Sequence, residues 1–109
     1  MKRFCQTLKL RNDPEMIKKY MEAHQNVWPE IKDGIREVGI LDMQIYIHDN
    51  VLFMIVDTVD EFDWQKDNDR LSQLPRQHEW EFYVSQFQQA DPHATSSEKW
   101  QLMDKIFQL

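Results

Sequence analysis

The chain has 109 residues, 41% of them hydrophobic, which suits one domain over residues 1–109 with a single modest core. Its formal charge of −6, with acids and bases interspersed, leaves no clustered positive face for nucleic acid or an anionic membrane. Two glycines and four prolines leave no room for a flexible linker, and no window approaches the ~18 apolar residues of a membrane span.

In chain order, "RFCQTLKL" (residues 3–10) alternates as a strand with Phe4, Gln6, Leu8 and Leu10 on one face. The lone Cys5 in it has no internal disulfide partner, which fits a reducing, cytoplasmic setting, and "MKRFCQTLKL" has no apolar leader core. Asn12-Asp13-Pro14-Glu15 then opens a helix, with Asp13 as cap and Pro14 at the first helical position. Met16, Ile17, Tyr20, Met21 and His24 recur at helical spacing, so the apolar stripe ends on a histidine. Pro29 cannot continue that helix but can open another, in which Ile31, Ile35 and Val38 face inward until Gly39 closes it.

"ILDMQIYI" (residues 40–47) and "VLFMIVDTV" (residues 51–59) read as strands joined by a tight hairpin at His48-Asp49-Asn50. Val51 to Val56 are all apolar, as in a strand covered on both faces. "DEFDWQKDNDRL" starts a helix from Asp60-Glu61; Pro75 interrupts it, and "RQHEWEFYVSQF" resumes with Trp80, Tyr83, Val84 and Phe87 in register. After the polar loop "QQADPHATSSE", the ending "KWQLMDKIFQL" suits a last strand. The order βαββαβ predicts an α+β fold: a ferredoxin-like, four-stranded antiparallel sheet with helices on one face. Cover for the other face is expected from a second copy, sheet against sheet.

His24 is the foremost candidate for chemistry, because an imidazole can both give and take a proton near neutral pH. Tyr20, one turn earlier, shares its helix face and can orient a hydroxyl or ring oxygen. Both also suit ordinary core packing. His48 and His93 sit at polar corners, and His78 on the late helix is expected at the surface, with approach to a pocket as the alternative. No HExxH, paired CxxC or dense acidic cluster appears, so no metal is expected. Gly34 and Gly39 make no phosphate cradle, and no serine nucleophile elbow is present, so no nucleotide cofactor or covalent step is expected. Trp28, Trp64, Trp80 and Trp100 are many for this length; they suit a core, with one or two at a pocket rim facing a sugar ring.

Together, "YMEAHQNVWPEI", "GILDMQIYI", "LFMIVDTVDEFDW", "HEWEFY" and "EKWQLMDKIFQL" resemble the L-rhamnose mutarotase family, small isomerases that interconvert the anomers of 6-deoxy sugars. The most specific part is Tyr-x-x-x-His-x-x-x-Trp-Pro-Glu, here Tyr20, His24, Trp28, Pro29 and Glu30. The resemblance implies a ferredoxin-like dimer of the α/β-barrel type, a monosaccharide partner and no cofactor. It makes His24 the proton donor and Tyr20 a sugar contact. The family's Trp-Trp pair falls on Glu79-Trp80, leaving Trp80 as the aromatic contact, and Met43 stands where a substrate-contacting tyrosine is usual. L-rhamnose is the first substrate implied; the longer ending suggests L-fucose second. Ring opening needs a second proton-transfer group, for which Glu30, Asp42 and Glu98 all remain open. Two other readings compete: a dimeric α/β-barrel monooxygenase or haem-handling protein, and a sugar-binding module without catalysis.

Overall fold

The computed structural model describes residues 1–109, and its sheet grows outward from the first strand and the all-apolar one. Strand β1, Lys2–Lys9, pairs antiparallel with β3, Val51–Thr58, from Lys2 opposite Thr58 to Lys9 opposite Val51. Strand β2, Ile40–His48, joins β3 through a turn in which Asp49 takes the left-handed conformation that two-residue hairpins require. Strand β4, Gln101–Leu102, borders β1, giving the antiparallel order β2-β3-β1-β4 of a ferredoxin-like sheet.

Helices α1 (Pro14–Ala23), α2 (Pro29–Glu37), α3 (Trp64–Ser72) and α4 (Gln77–Ser85) accompany the sheet. Leu8, Leu52, Met54 and Val56 are buried beneath them together with Ile31, Phe62, Trp80 and Val84. Burial of such side chains is worth about 1.5–3 kcal/mol each, the main force holding the layers together. The sheet's other face carries Val51, Phe53 and Ile55, partly or fully exposed, so a single chain covers the apolar β3 run on one side only.

Asp13 caps α1 as expected, accepting a hydrogen bond from the Glu15 amide at 2.9 Å. The helix expected from Asp60-Glu61 instead starts three residues later. Asp63 is its cap and accepts from the Lys66 amide at 2.8 Å. Pro75 does separate α3 from α4.

The expected last strand is largely corrected. Thr95 and Glu98 form a capping box that winds Ser96–Lys99 into a short helix, α5. Gln101 and Leu102 then pair with β1, the Met103 amide still donates to the Cys5 carbonyl at 2.8 Å, and residues 104–109 leave the sheet with Ile106 and Phe107 in solvent.

In β2, Ile40 faces Thr58 and Asp42 faces Asp57, so Leu41 is an extra, bulged residue. Strict alternation would send Ile40 and Met43 to opposite faces, because they are an odd number apart. The bulge brings both to the helix side. Gly39, just before it, has φ +100° and a backbone so close to Val59 that a Cβ would lie 2.9 Å from Val59 Cγ2. Gly39→Ala is therefore expected to destabilise the fold by at least about 1–2 kcal/mol, the cost of a left-handed non-glycine residue, read as a lower urea midpoint.

Candidate active site

Tyr20 and His24 come together at the end of α1, their rings 4.3 Å apart. The helix stops at Ala23, and His24–Asn26 tighten into a 3₁₀ turn. Pro29 then holds Trp28 in an extended conformation, as a residue before proline prefers. The break swings Trp28 onto the late helix, edge-on to Trp80 at 5.2 Å and stacked on Tyr83 at 6.0 Å. Arg76 covers its outer face with the guanidinium 4.1 Å from the ring.

His24 sits edge-on to Trp80 at 5.4 Å, half-buried, with Nδ1 2.9 Å from the Tyr20 carbonyl. A carbonyl only accepts, so Nδ1 carries the hydrogen and Nε2 is the nitrogen left free for a ligand. Burial lowers the pKa of His24, offset in part by that backbone bond. The resting imidazole is therefore a base with its lone pair on Nε2. Burial raises the pKa of the Tyr20 phenol; a hydrogen bond with Gln88 opposes this, and the charge of Glu81 adds to it. Tyr20 thus stays a neutral hydroxyl.

These rings border a cavity of about 470 Å³, within the roughly 300–1,000 Å³ of small-molecule sites. Tyr20, His24, Met43 and Trp80, the four residues singled out in the sequence, all line it. Met43 reaches it through the β2 bulge and Trp80 through the inner face of α4. Pro29 is absent from the lining, so it shapes the site through the chain break alone. Trp100 supplies a second buried indole. Trp64 is structural, packed on Phe4 at 4.6 Å.

The proposed acidic partners sort clearly. Glu30 sits on the surface beside Arg76 at 3.4 Å, and Glu98 is held by Thr95, which keeps its carboxyl below the usual range. Neither lines the cavity. Asp42 borders it through its strand, but its exposed carboxyl lies on the open sheet face, where it accepts from the Gln44 amide at 2.9 Å. His78 is exposed as expected, yet it also borders the cavity.

Sequence reasoning missed Glu81, Gln88 and Lys99. Glu81 follows Gln77 by one turn and precedes Val84 and Gln88 on the same inward face, a helical spacing visible in the sequence. Gln88 is 1% exposed, and its Oε1 has no protein partner, so a buried acceptor on the cavity wall awaits a donor. No group of three or more His, Cys, Asp or Glu side chains is placed to hold a metal ion.

Comparisons with known proteins follow the same direction. A family model described as L-rhamnose mutarotase matches residues 3–109. A UPF0734 protein of Dictyostelium discoideum is 34% identical over 112 residues, covering 99% of this chain and 90% of its own length. An L-fucose mutarotase of Xanthomonas campestris is 31% identical over 111 residues, covering 100% of this chain and 89% of its own. The crystal structure of an L-rhamnose mutarotase from Formosa agariphila superposes with TM-score 0.73 at 18% identity, covering 100% of this chain and 99% of that one.

The lowered pKa of His24 also links to stability. Above about pH 6.5, the ordinary histidine value, the side chain is neutral in both folded and unfolded chains and stability is full. As pH falls below that, the unfolded chain binds the proton first, and stability is lost until the folded pKa is passed. Urea midpoints measured from pH 7.5 to 5 are expected to fall less in His24→Gln than in the wild type.

Proposed function

The chain belongs to the L-rhamnose mutarotase family, and on that premise we propose that it interconverts the α and β anomers of a 6-deoxy sugar by acid–base ring opening beside His24. L-rhamnose stands first on family membership. L-fucose stands second, supported by the full-length similarity to the Xanthomonas enzyme.

In ring opening, the ring oxygen O5 gains a proton, the C1–O5 bond breaks, and the anomeric hydroxyl loses its proton as C1 becomes an aldehyde carbon. Rotation about C1–C2 and reversal give the other anomer. No bond to the enzyme forms, so a poised base, an acid and a stacking wall suffice. The observation that carries this reading is His24: its Nδ1–H is committed to the Tyr20 carbonyl, and the side chain opens on a cavity of about 470 Å³. Nε2 takes the proton of the anomeric hydroxyl on opening and returns it on closing. The donor role implied for this residue belongs to the imidazolium so formed.

Tyr20 and Trp80 flank the sugar, and the Met43 thioether meets its apolar edge. The orphan Oε1 of Gln88 suits a sugar hydroxyl, which would supply the missing donor. The protein acts in the cytoplasm, where a lone, half-buried thiol such as Cys5 stays reduced.

The working form is a homodimer joined through the open sheet face. That face centres on Phe53 and Ile55 with Val51 and Tyr46 at 37% and 57% exposure, an apolar patch that a monomer would leave in water. The exposed tail side chains, Ile106 and Phe107 above all, add apolar surface for the same partner.

Saturation-transfer NMR on the anomeric protons of L-rhamnose, L-fucose and their epimers tests activity and substrate together. His24→Ala is expected to fold normally and lose about 10²–10⁴-fold in exchange rate, whereas Tyr20→Phe chiefly weakens binding. Full exchange in His24→Ala removes that side chain from the mechanism. Equilibrium sedimentation at micromolar concentration is expected to give a dimer for the wild type and a monomer for Phe53→Asp; a wild-type monomer refutes the assembly.

A further inference from the structure

We infer that Glu81 is the second proton-transfer group: its carboxyl and the imidazole of His24 line one sugar-sized cavity and exchange protons through the two oxygens on C1. The inference rests on the mutarotase reading above and extends it to the residue that sequence spacing left open.

Of the two acidic residues that border the cavity, Asp42 turns its carboxyl to the open sheet face beside Gln44 and Tyr46. Glu81 lies inward, half-buried on α4 directly after Trp80, and is held there by an unusual anchor. The Lys99 side chain has no solvent exposure, and its Nζ donates both to the Glu81 carbonyl at 2.6 Å and to Glu81 Oε1 at 3.1 Å. One ammonium therefore grips backbone and carboxyl of the same residue, which fixes the rotamer. Oε2 is left without a protein donor and free for a ligand.

The anchor exists because Thr95 and Glu98 cap a short helix where a strand is expected. That helix turns Lys99 inward rather than to water. A buried lysine that serves only packing is rare, since its charge must be matched inside the protein.

Burial raises the pKa of Glu81, against the pull of Lys99 and His78, while burial lowers that of His24. Each shift moves its group toward the neutral form: the carboxyl holds its proton more tightly and the imidazole gives its own up more readily. The charge of Glu81 also acts on the Tyr20 phenol, the side chain proposed to contact the sugar.

The step balances. Glu81 gives its proton to O5 as the C1–O5 electron pair leaves carbon, and the O1–H proton passes to Nε2 of His24 as the aldehyde forms. Acid plus imidazole becomes carboxylate plus imidazolium, with no proton drawn from solvent. Lys99 is already in place to stabilise the carboxylate that develops, without reorganisation during the reaction. Closure on either face of the aldehyde reverses both transfers.

Glu81→Gln tests this, because the amide oxygen still accepts from Lys99 while the carboxyl proton is gone. Exchange at saturating sugar is expected to fall about 10²–10⁴-fold. Sugar affinity, read by tryptophan fluorescence, should stay close to wild type. A purely structural role would move binding and thermal stability instead. Should the unmatched lysine prevent folding, Glu81→Gln/Lys99→Met removes both charges and is expected to show the same loss of exchange with binding kept. Wild-type exchange in either folded variant, or a loss confined to affinity, overturns the role of Glu81 and leaves the mutarotase reading standing. No exchange by the wild type on L-rhamnose or L-fucose overturns both.

Discussion

The hydrogen bond from Nδ1–H of His24 to the Tyr20 carbonyl is the constraint on which the site turns. It joins a helix end to a side chain, on a carbonyl that also accepts the backbone amide of His24. An imidazole capped this way cannot choose its tautomer. Its ring is also clamped by Tyr20 at 4.3 Å and Trp80 at 5.4 Å, so Nε2 meets the cavity in one orientation. Local helix geometry thus determines the protonation chemistry. A freely rotating surface histidine of the same pKa would lack the positioning that makes proton transfer to a bound sugar efficient.

Pro29 makes this possible from a distance. By excluding Trp28 from the helical region it ends α1 near His24 and folds Trp28 back over Trp80 and Tyr83. The same aromatic contacts tie α1 to α4, the helix that carries Glu81. Gly34 completes the approach: a Cβ there would lie 2.6 Å from Gln77 Nε2, so its absence lets α4 settle against α2, where that amide donates to the Ile31 carbonyl at 3.3 Å. Site and fold are therefore not separate layers of design. The residues that close the helices around the core also set the distances across the cavity.

Much of this was legible in the residues alone, and the limits have physical causes. Alternation marks β1, strand-like segments around a tight hairpin mark β2 and β3, and the Tyr20-His24 spacing marks one wall of the site, because each follows from the local pattern of the chain. Met43 reached the site by way of a bulge at Leu41, which simple alternation does not anticipate; family resemblance supplied it instead. The start of α3 was misplaced because Asp60, Glu61 and Asp63 are all acids near a helix start, and only the carboxyl that meets the Lys66 amide is the cap. The last segment was misread for a related reason. Large apolar residues in "KWQLMDKIFQL" suggest a strand, yet the Thr95-Ser-Ser-Glu98 box commits the chain to a helical turn first. Glu81 and Lys99 lie on different elements, 18 positions apart. Their pairing is a tertiary fact that no local spacing announces.

That pairing also explains why a buried charge is worth keeping. Matched ions inside a protein recover little net stability, and apolar replacements of similar volume are often as good or better. Stability alone therefore gives Lys99 no advantage over methionine at a position with no solvent exposure. What the ammonium offers is a charge fixed beside a carboxyl whose own burial favours the neutral acid. In the proposed step, burial favours the acid and the ammonium favours the carboxylate left when the proton leaves. His24 is tuned in the complementary sense by the same low-polarity surroundings. On the proposed mechanism, these two groups, each held by a hydrogen-bonded anchor, move protons between sugar oxygens without waiting for water.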